Sequence, residues 1–129
     1  TNRFISITDN ASDYRNRVSI RYTGNITNQL RAFVVVDNVF QSDITFTLSD
    51  DTEYIKVAYK YKENDFSLWV NGVEVGTPTT VGSTFTANTL KRMCFSELNS
   101  GQNSFYGKTK SVQIFNTALT DAELIDLTS

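Results

Sequence analysis

Residues 105–128 read Phe105-Tyr106-Gly107-Lys108-Thr109-Lys110-Ser111-Val112-Gln113-Ile114-Phe115, then Asn116-Thr117-Ala118, then Leu119-Thr120-Asp121-Ala122-Glu123-Leu124-Ile125-Asp126-Leu127-Thr128. The first run is rich in aromatic and β-branched residues, and the second reads as a turn. The third has the chemistry of a helix start. Thr120 can accept from the backbone N–H of Glu123, whose carboxylate can reach back to the N–H of Thr120, while Leu119 and Leu124 flank that box as a hydrophobic staple. The pattern predicts strands across 105–115, with a bulge near Lys110-Ser111 because Phe105 and Gly107 share one parity and Val112 and Ile114 the other. It predicts one helix longer than a turn, from Thr120 to Leu127.

Outward from there, short alternating segments separated by polar turns fill the chain, about nine or ten strands in all. Arg3 to Thr8 and Arg17 to Thr23 come first. Leu30 to Val36 and Val39 to Gln41 surround Asp37-Asn38, a pair that tolerates positive φ and suits a tight hairpin. Ile44, Phe46 and Leu48 alternate with Thr45 and Thr47, and Tyr54 to Tyr61 alternates Ile55, Val57, Tyr59 and Tyr61 with Lys56, Ala58 and Lys60. Glu63-Asn64-Asp65 turns the chain into Phe66 to Val70, and Asn71-Gly72, the strongest hairpin signal, turns it into Val73 to Val75. Gly76 to Asn88 holds the only proline, Pro78, and reads as a surface loop with an edge strand near Thr84 to Thr86. Thr89 to Phe95 is a further strand and Glu97 to Asn103 a loop. The class is all-β, an antiparallel two-sheet sandwich whose core includes Ile20, Val34, Phe46, Val57, Phe66, Leu68, Val70, Ile114 and Leu124.

Composition narrows the function. The 129 residues suit one domain, and 40% hydrophobic content with nine Phe and six Tyr fills a sandwich core. A net charge of −2 gives no field to draw nucleic acid or an anionic membrane, and no apolar run approaches the roughly 20 residues that span a bilayer. Neither nucleic acid nor membrane insertion is therefore expected. Lys56, Lys60 and Lys62 interleave with Tyr59 and Tyr61, an alternation that places the tyrosines inward and the lysines outward. With no His and one Cys, a Ser-His-Asp triad, a Cys-His pair, the His-containing zinc motifs and an internal disulfide are all excluded.

Lys56-Val57-Ala58-Tyr59-Lys60-Tyr61 followed by Asp65-Phe66-Ser67-Leu68-Trp69-Val70-Asn71-Gly72, together with the C-terminal strand, turn and helix, resembles the laminin-G-like domains of the concanavalin A-like lectin/glucanase superfamily. Asn2 to Ile7 and Arg17 to Tyr22 fit the earlier strands of such domains. The wording looks most like the copies carried by bacteriophage tail fibres and other virion surface proteins. This resemblance implies a jelly-roll sandwich whose last helix packs across one end, at a virion or other extracellular surface, with a cell-surface glycan and other virion proteins as partners. Such domains usually have a further strand before the Arg3 segment, and the chain begins at Thr1. Residues 1–129 are accordingly expected to be one domain of a longer polypeptide.

Some glycosidases of the superfamily carry three carboxylates on one strand in the order Glu-x-Asp-x-x-Glu. Glu63 and Asp65 supply two, but the third position is Leu68. Hydrolysis needs a proton donor and a base or nucleophile flanking the bond at about 5 to 9 Å, so no catalytic residue is assigned and the chain is read as no enzyme. Ca²⁺, which laminin-G-like domains sometimes hold in a rim of loops, wants six to eight oxygens. Asp9-Asn10 with Asp13, Asp37-Asn38 and Asp50-Asp51 offer the right atoms without a calcium-loop spacing, and Asx turns account for them equally well. The expectation is no resident cofactor, with Ca²⁺ the one ion whose ligand types are on offer.

Trp69 is the sharpest binding candidate. If Phe66, Leu68 and Val70 face the core, Ser67 and Trp69 face away from it beside Lys56, Ala58 and Lys60, a flat apolar surface with hydrogen-bonding neighbours on which a sugar ring could stack. The same parity also permits Trp69 to be covered by a further N-terminal strand, by the C-terminal helix or by a neighbouring subunit. The candidate ligand-binding set is Trp69, Lys56, Lys60 and Ser67, with the loops Asp37-Asn38 and Glu97 to Gln102. One stacked ring contributes on the order of 1 kcal/mol, so useful affinity needs linked copies and points to a homo-oligomer. The function expected is a non-enzymatic glycan-binding or adhesion domain. The alternatives are a structural virion module without a sugar ligand, or an adhesion domain of a cellular extracellular protein.

Overall fold

A computed structural model describes residues 2–98 and 101–129. Asn99 and Ser100, within the expected loop over 97–103, lie outside the described residues. Among the described residues, eight strands and one helix follow in order: β1 (Arg3–Thr8), β2 (Arg17–Tyr22), β3 (Gln29–Val36), β4 (Val39–Thr47), β5 (Val57–Lys62), β6 (Asp65–Val70), β7 (Val73–Thr79), β8 (Arg92–Cys94) and α1 (Asp121–Thr128). They build two antiparallel sheets, one of five strands in the order β4-β3-β2-β1-β8 and one of three in the order β5-β6-β7. Each strand of β1 to β4 pairs with its neighbour in sequence, as short turns between alternating segments favour.

The hairpin turns have the residues their backbone requires. Asp37 and Asn38 sit at φ 48° and 67°, and Asn71 and Gly72 at φ 49° and 84°. Both central residues of a type I′ turn need positive φ, which Asn, Asp and Gly tolerate best. Asn64, at φ 57°, closes the turn between β5 and β6. Gly76 combines φ +70° with a close approach to β4: a Cβ there would stand 2.5 Å from the Ile44 side chain and 2.8 Å from the Thr45 carbonyl. Only glycine fits both conditions.

Between the sheets lie Val18, Leu30, Ala32, Val34 and Ile44 from the first and Phe66, Leu68, Val70 and Val75 from the second, all buried. Ile20, Phe46, Val57, Tyr59 and Tyr61 pack against them, so the tyrosines of β5 do face inward. Helix α1 begins with the capping box read in the sequence. Glu123 N–H donates to Thr120 Oγ1 at 3.3 Å and Thr120 N–H donates to Glu123 Oε2 at 2.8 Å. Leu124 is buried beneath the helix, as expected.

The strand pattern departs from expectation in several places, and β5 begins at Val57 rather than Tyr54 while β8 covers only Arg92–Cys94 of the expected Thr89 to Phe95. Val39–Thr47 is one strand where two segments were expected, because a bulge opposite Val34 and Val35 carries the pairing past Gln41. Strand β7 continues to Thr79 through Pro78, which costs no ladder bond on an edge strand. No strand forms at 84–86. The largest correction is at 105–115, which forms no strand, so that Ile114 is not in the core but 57% exposed. A half-buried strand needs one parity to face the core throughout, and the slip between Phe105 and Ile114 denies it a continuous apolar face.

Candidate functional site

The outer face of the three-stranded sheet is where the sequence placed its glycan platform. Register confirms the parity: Trp69 stands opposite Ala58, and Ser67 opposite Lys60, while Leu68 stands opposite Tyr59 on the inner face. The face is nevertheless closed. Trp69 is only 5% exposed and Ser67 is buried with it. Helix α1 packs against β5 and β6, and the nominated lysines hold it there. Lys60 Nζ lies 2.9 Å from Asp65 Oδ1 and 3.6 Å from Asp121 Oδ1 at the first turn of α1. Lys56 Nζ donates to the backbone carbonyl of Ser129 just beyond the last turn, and Thr128 Oγ1 accepts from the Gly72 N–H at 2.9 Å. The four residues come together as expected, but Lys60 and Lys56 engage the chain's own helix and the residue that follows it, and Trp69 and Ser67 are buried beside them. Trp69 is therefore no open stacking surface in this chain: burial of the indole removes its apolar area from water, and the C-terminal helix packs on the strand that carries it.

The remaining nominated groups are dispersed. Asp37 and Asn38 are exposed at one end of the five-stranded sheet. The Asp37 N–H donates to Asn16 Oδ1 and the Asn38 N–H to the Arg15 carbonyl, each at 3.0 Å, which ties the turn to residues 15–16. Glu97 turns inward to Arg17, with Nη1 to Oε1 at 3.4 Å. Glu63 is exposed in its turn while Asp65 holds Lys60 at 2.9 Å. The acidic loops are internally engaged. Asp9 accepts from the Ala11 N–H and the Asn16 amide, Asp13 from the Arg15 N–H, Asp50 from the Thr52 N–H, and Asp51 lies 3.6 Å from Arg3. Among the described residues no three His, Cys, Asp or Glu side chains are grouped to hold a metal ion, and no helix is long and apolar enough to cross a membrane.

A different surface gathers chemistry that sequence reading missed. On the outer face of the five-stranded sheet, register sets Phe4, Arg21, Arg31 and Thr45 in one row, Ser6, Ser19, Phe33 and Asp43 in the next, and Thr8, Arg17, Val35 and Phe40 in a third. Phe4, Phe33 and Val35 form a small buried cluster of their own. Guanidiniums lie over these rings: Arg21 is 5.1 Å from the Phe4 centroid, Arg31 is 5.1 Å from Phe33 and 5.6 Å from Phe40, and Arg17 is 4.9 Å from Phe33 and 4.7 Å from Tyr14. At such distances the ring quadrupoles attract the cations. Phe40 packs against Phe33 with centroids 5.4 Å apart yet remains 51% exposed, and Tyr14 is 43% exposed.

Charge on this face is unevenly answered. Asp43 receives Arg31 Nε at 2.7 Å and Nη2 at 2.6 Å, and this hydrogen-bonded partner raises the Arg31 pKa. Burial lowers the pKa of Arg17 against the opposing pull of Glu97. Burial, and then repulsion from Arg31, lowers that of Arg21. The signal in the sequence was arginine at one strand parity, Arg17 and Arg21 on one segment and Arg31 on the next, and only the pairing register makes it a patch.

The likeness to known proteins accords with this architecture. No curated protein matches the sequence. Among solved structures, an S-layer domain-containing protein (residues 221–444) from Clostridium thermocellum ATCC 27405 superposes with a TM-score of 0.52 over 96% of this chain and 61% of that one, at 18% identity. At that identity the likeness shows the fold alone, and the chain spans less than two thirds of that neighbour. The laminin G family model described as concanavalin A-like lectin/glucanases superfamily matches residues 1–125. With two antiparallel sheets enclosing the core and a short C-terminal helix, the chain belongs to the concanavalin A-like lectin/glucanases superfamily as a laminin-G-like domain.

Proposed function

We propose that this domain is a non-enzymatic adhesion module that binds cell-surface glycans at the exposed margin of the outer face of its five-stranded sheet, where Phe40 and Tyr14 stand clear of the buried Phe4, Phe33 and Val35. The observation that carries this reading is Phe40, half exposed and fixed between Phe33 and the Arg31 guanidinium, with exposed Tyr14 on the same side. A held ring beside charged donors suits a saccharide, whose C–H face stacks while its hydroxyls take hydrogen bonds. The Asp37-Asn38 turn, retained from the sequence reading, borders this face. The setting we propose is a virion surface, as in a phage tail or head fibre, or another extracellular surface. The S-layer protein among its structural likenesses supports a surface setting, and the resemblance to tail-fibre domains supports the virion. One shallow face binds weakly, so a homo-oligomer with several linked copies would supply the avidity.

Titration of host-derived glycans against the assembled protein tests this. Phe40→Ala and Tyr14→Ala, with circular dichroism unchanged, are expected to weaken binding. Equal binding by the variants would remove this face from the proposal.

A second reading, a structural module packed against other virion proteins without a sugar ligand, draws on a separate observation. Tyr106, Val112, Ile114 and Phe115 are all exposed on the segment that forms no strand, apolar surface that a neighbouring protein would cover. Sedimentation of Ile114→Ser against the unaltered protein separates the two. Loss of assembly with glycan binding intact would favour the structural role for that segment.

A further inference from the structure

We propose that Asn71-Gly72 is a deamidation site kept shut by helix α1, and that its reaction releases the helix from the sheet. It is the only Asn-Gly pair in the chain. Asparagine is chemically labile, and most so before glycine, whose backbone nitrogen has no neighbouring Cβ to hinder its approach to the side chain. Asn71 is exposed and Gly72 half-buried, so water reaches the side chain that reacts. The reaction balances with water alone. The Gly72 nitrogen bonds to Asn71 Cγ, and its proton passes through water to the side-chain nitrogen, which leaves as ammonia. One water then opens the resulting succinimide at either carbonyl, giving aspartate or isoaspartate with one new negative charge.

The attacking nitrogen and the side chain it would attack are both engaged in the folded chain. The Gly72 N–H donates to Thr128 Oγ1 at 2.9 Å. That hydroxyl, on a residue 1% exposed, donates in turn to the Leu124 carbonyl at 2.7 Å. Asn71 Oδ1 accepts from the Lys56 N–H, and the Asn71 N–H donates to the Lys56 carbonyl, each at 3.0 Å. Attack requires rotation about the Asn71 backbone and side chain together, and these bonds hold both in a turn at φ 49° and 84°. The side chain is thus held by β5 and the residue before it, but the nucleophile is held by the helix. Thr128 reaches Gly72 only while α1 is docked, through Lys60 at its first turn and Lys56 at its end. Isoaspartate carries the chain through the side-chain carbon and so adds a methylene to a two-residue turn. The Gly72 N–H is then displaced from Thr128, and Trp69 beneath the helix loses its cover.

Timed incubation of the full chain in mildly alkaline buffer, with peptide mapping for aspartate and isoaspartate at Asn71, tests this. The folded chain is expected to react far more slowly than the same chain unfolded in urea. Thr120→Ala loosens the helix without touching Asn71, Gly72 or Thr128, and should speed the reaction about 2- to 30-fold, in step with the larger undocked population. Thr128→Val should speed it as well, while Thr128→Ser, which keeps the hydroxyl, should not. Low urea should raise the rate only shallowly, as local opening does. The reacted fraction, separated by its extra charge, should show Trp69 fluorescence shifted to the red. A folded rate equal to the unfolded one, or one unmoved by Thr120→Ala and Thr128→Val, would overturn the helix as guard. So would a rate that climbs with urea as steeply as global unfolding, because the turn would then open only with the whole domain. Reacted protein whose Trp69 stays covered would overturn the release.

Discussion

The indole N–H of Trp69 donates to the Ser67 hydroxyl at 2.9 Å, and both side chains are buried on the outer face of the three-stranded sheet. Two residues apart on one strand, they share a face, and the bond gives a buried polar nitrogen the partner it needs once water is excluded. Helix α1 makes that exclusion possible, because it is tied to the same strands through Lys56, Lys60 and the turn at Gly72. The domain thus buries side chains on the helix-bearing face of β5-β6 as well as between its sheets, and a further small cluster, Phe4, Phe33 and Val35, is buried on the outer face of the five-stranded sheet.

Trp69→Ala is therefore expected to act on stability. Removing a buried aromatic costs about 3 to 5 kcal/mol, and the outer layer should loosen first. Urea denaturation measures the loss, and glycan binding by the fraction still folded should match the unaltered protein. A Trp69→Ala variant of full stability that had lost its glycan would restore the indole as a ligand contact.

Helix docking depends on the cap as well as on the apolar side. Thr120→Ala removes the acceptor for the Glu123 N–H and the cap's bond to the Glu123 carboxylate. Stability should fall by about 0.5 to 2 kcal/mol, with Trp69 fluorescence shifting to the red at lower denaturant than overall unfolding. Coincident transitions would mean that helix and sandwich melt as one unit.

How much of this was legible follows from the kind of information each feature needs. Asp37-Asn38 and Asn71-Gly72 could be read because positive φ is a local demand met by few residues, and Thr120 with Glu123 because a capping box spans one turn. Leu68 could be placed in the core from its parity, and Leu68→Ala should cost about 2 to 5 kcal/mol by equilibrium denaturation. What covers Trp69 could not be read, since parity names a face but not its neighbour. The segment 105–115 has β-rich composition but forms no strand, because a strand also needs a ladder partner, which composition does not supply. The arginine face was hidden for a third reason. Arg21 and Arg31 meet only through the register of β2 against β3, a long-range property of the sheet.

No glycosidase activity is expected. Asp65 is engaged with Lys60 at 2.9 Å, and Glu63 stands exposed in its turn. Incubation with host polysaccharides, followed by reducing-end assay, should match the buffer control. Activity that disappears in Glu63→Gln would reverse this assignment.

Alkali should destabilise the domain through its inward-facing tyrosines. Burial raises the pKa of Tyr22, Tyr59 and Tyr61 above the ordinary value of 10.0, and Tyr59 is raised furthest. Ser42 tempers that shift, but its hydroxyl is engaged with Thr79 at 3.0 Å, and the Tyr59 hydroxyl is buried without a hydrogen bond of good geometry. The unfolded chain ionises its tyrosines near 10 while the folded chain holds the protons longer. Above that pH the unfolded state therefore binds fewer protons, and stability falls as pH rises toward the folded values. Below it, both states are protonated and the contribution is fully present. Each such tyrosine can steepen the loss by up to about 1.4 kcal/mol per pH unit. Tyr59→Phe removes the most shifted of the three without breaking a hydrogen bond, so it should be close to neutral at pH 7 and lose stability less steeply above about pH 10. Denaturant midpoints measured for both proteins across that range check this, and identical slopes would show that Tyr59 ionises in the folded chain as readily as in the unfolded one.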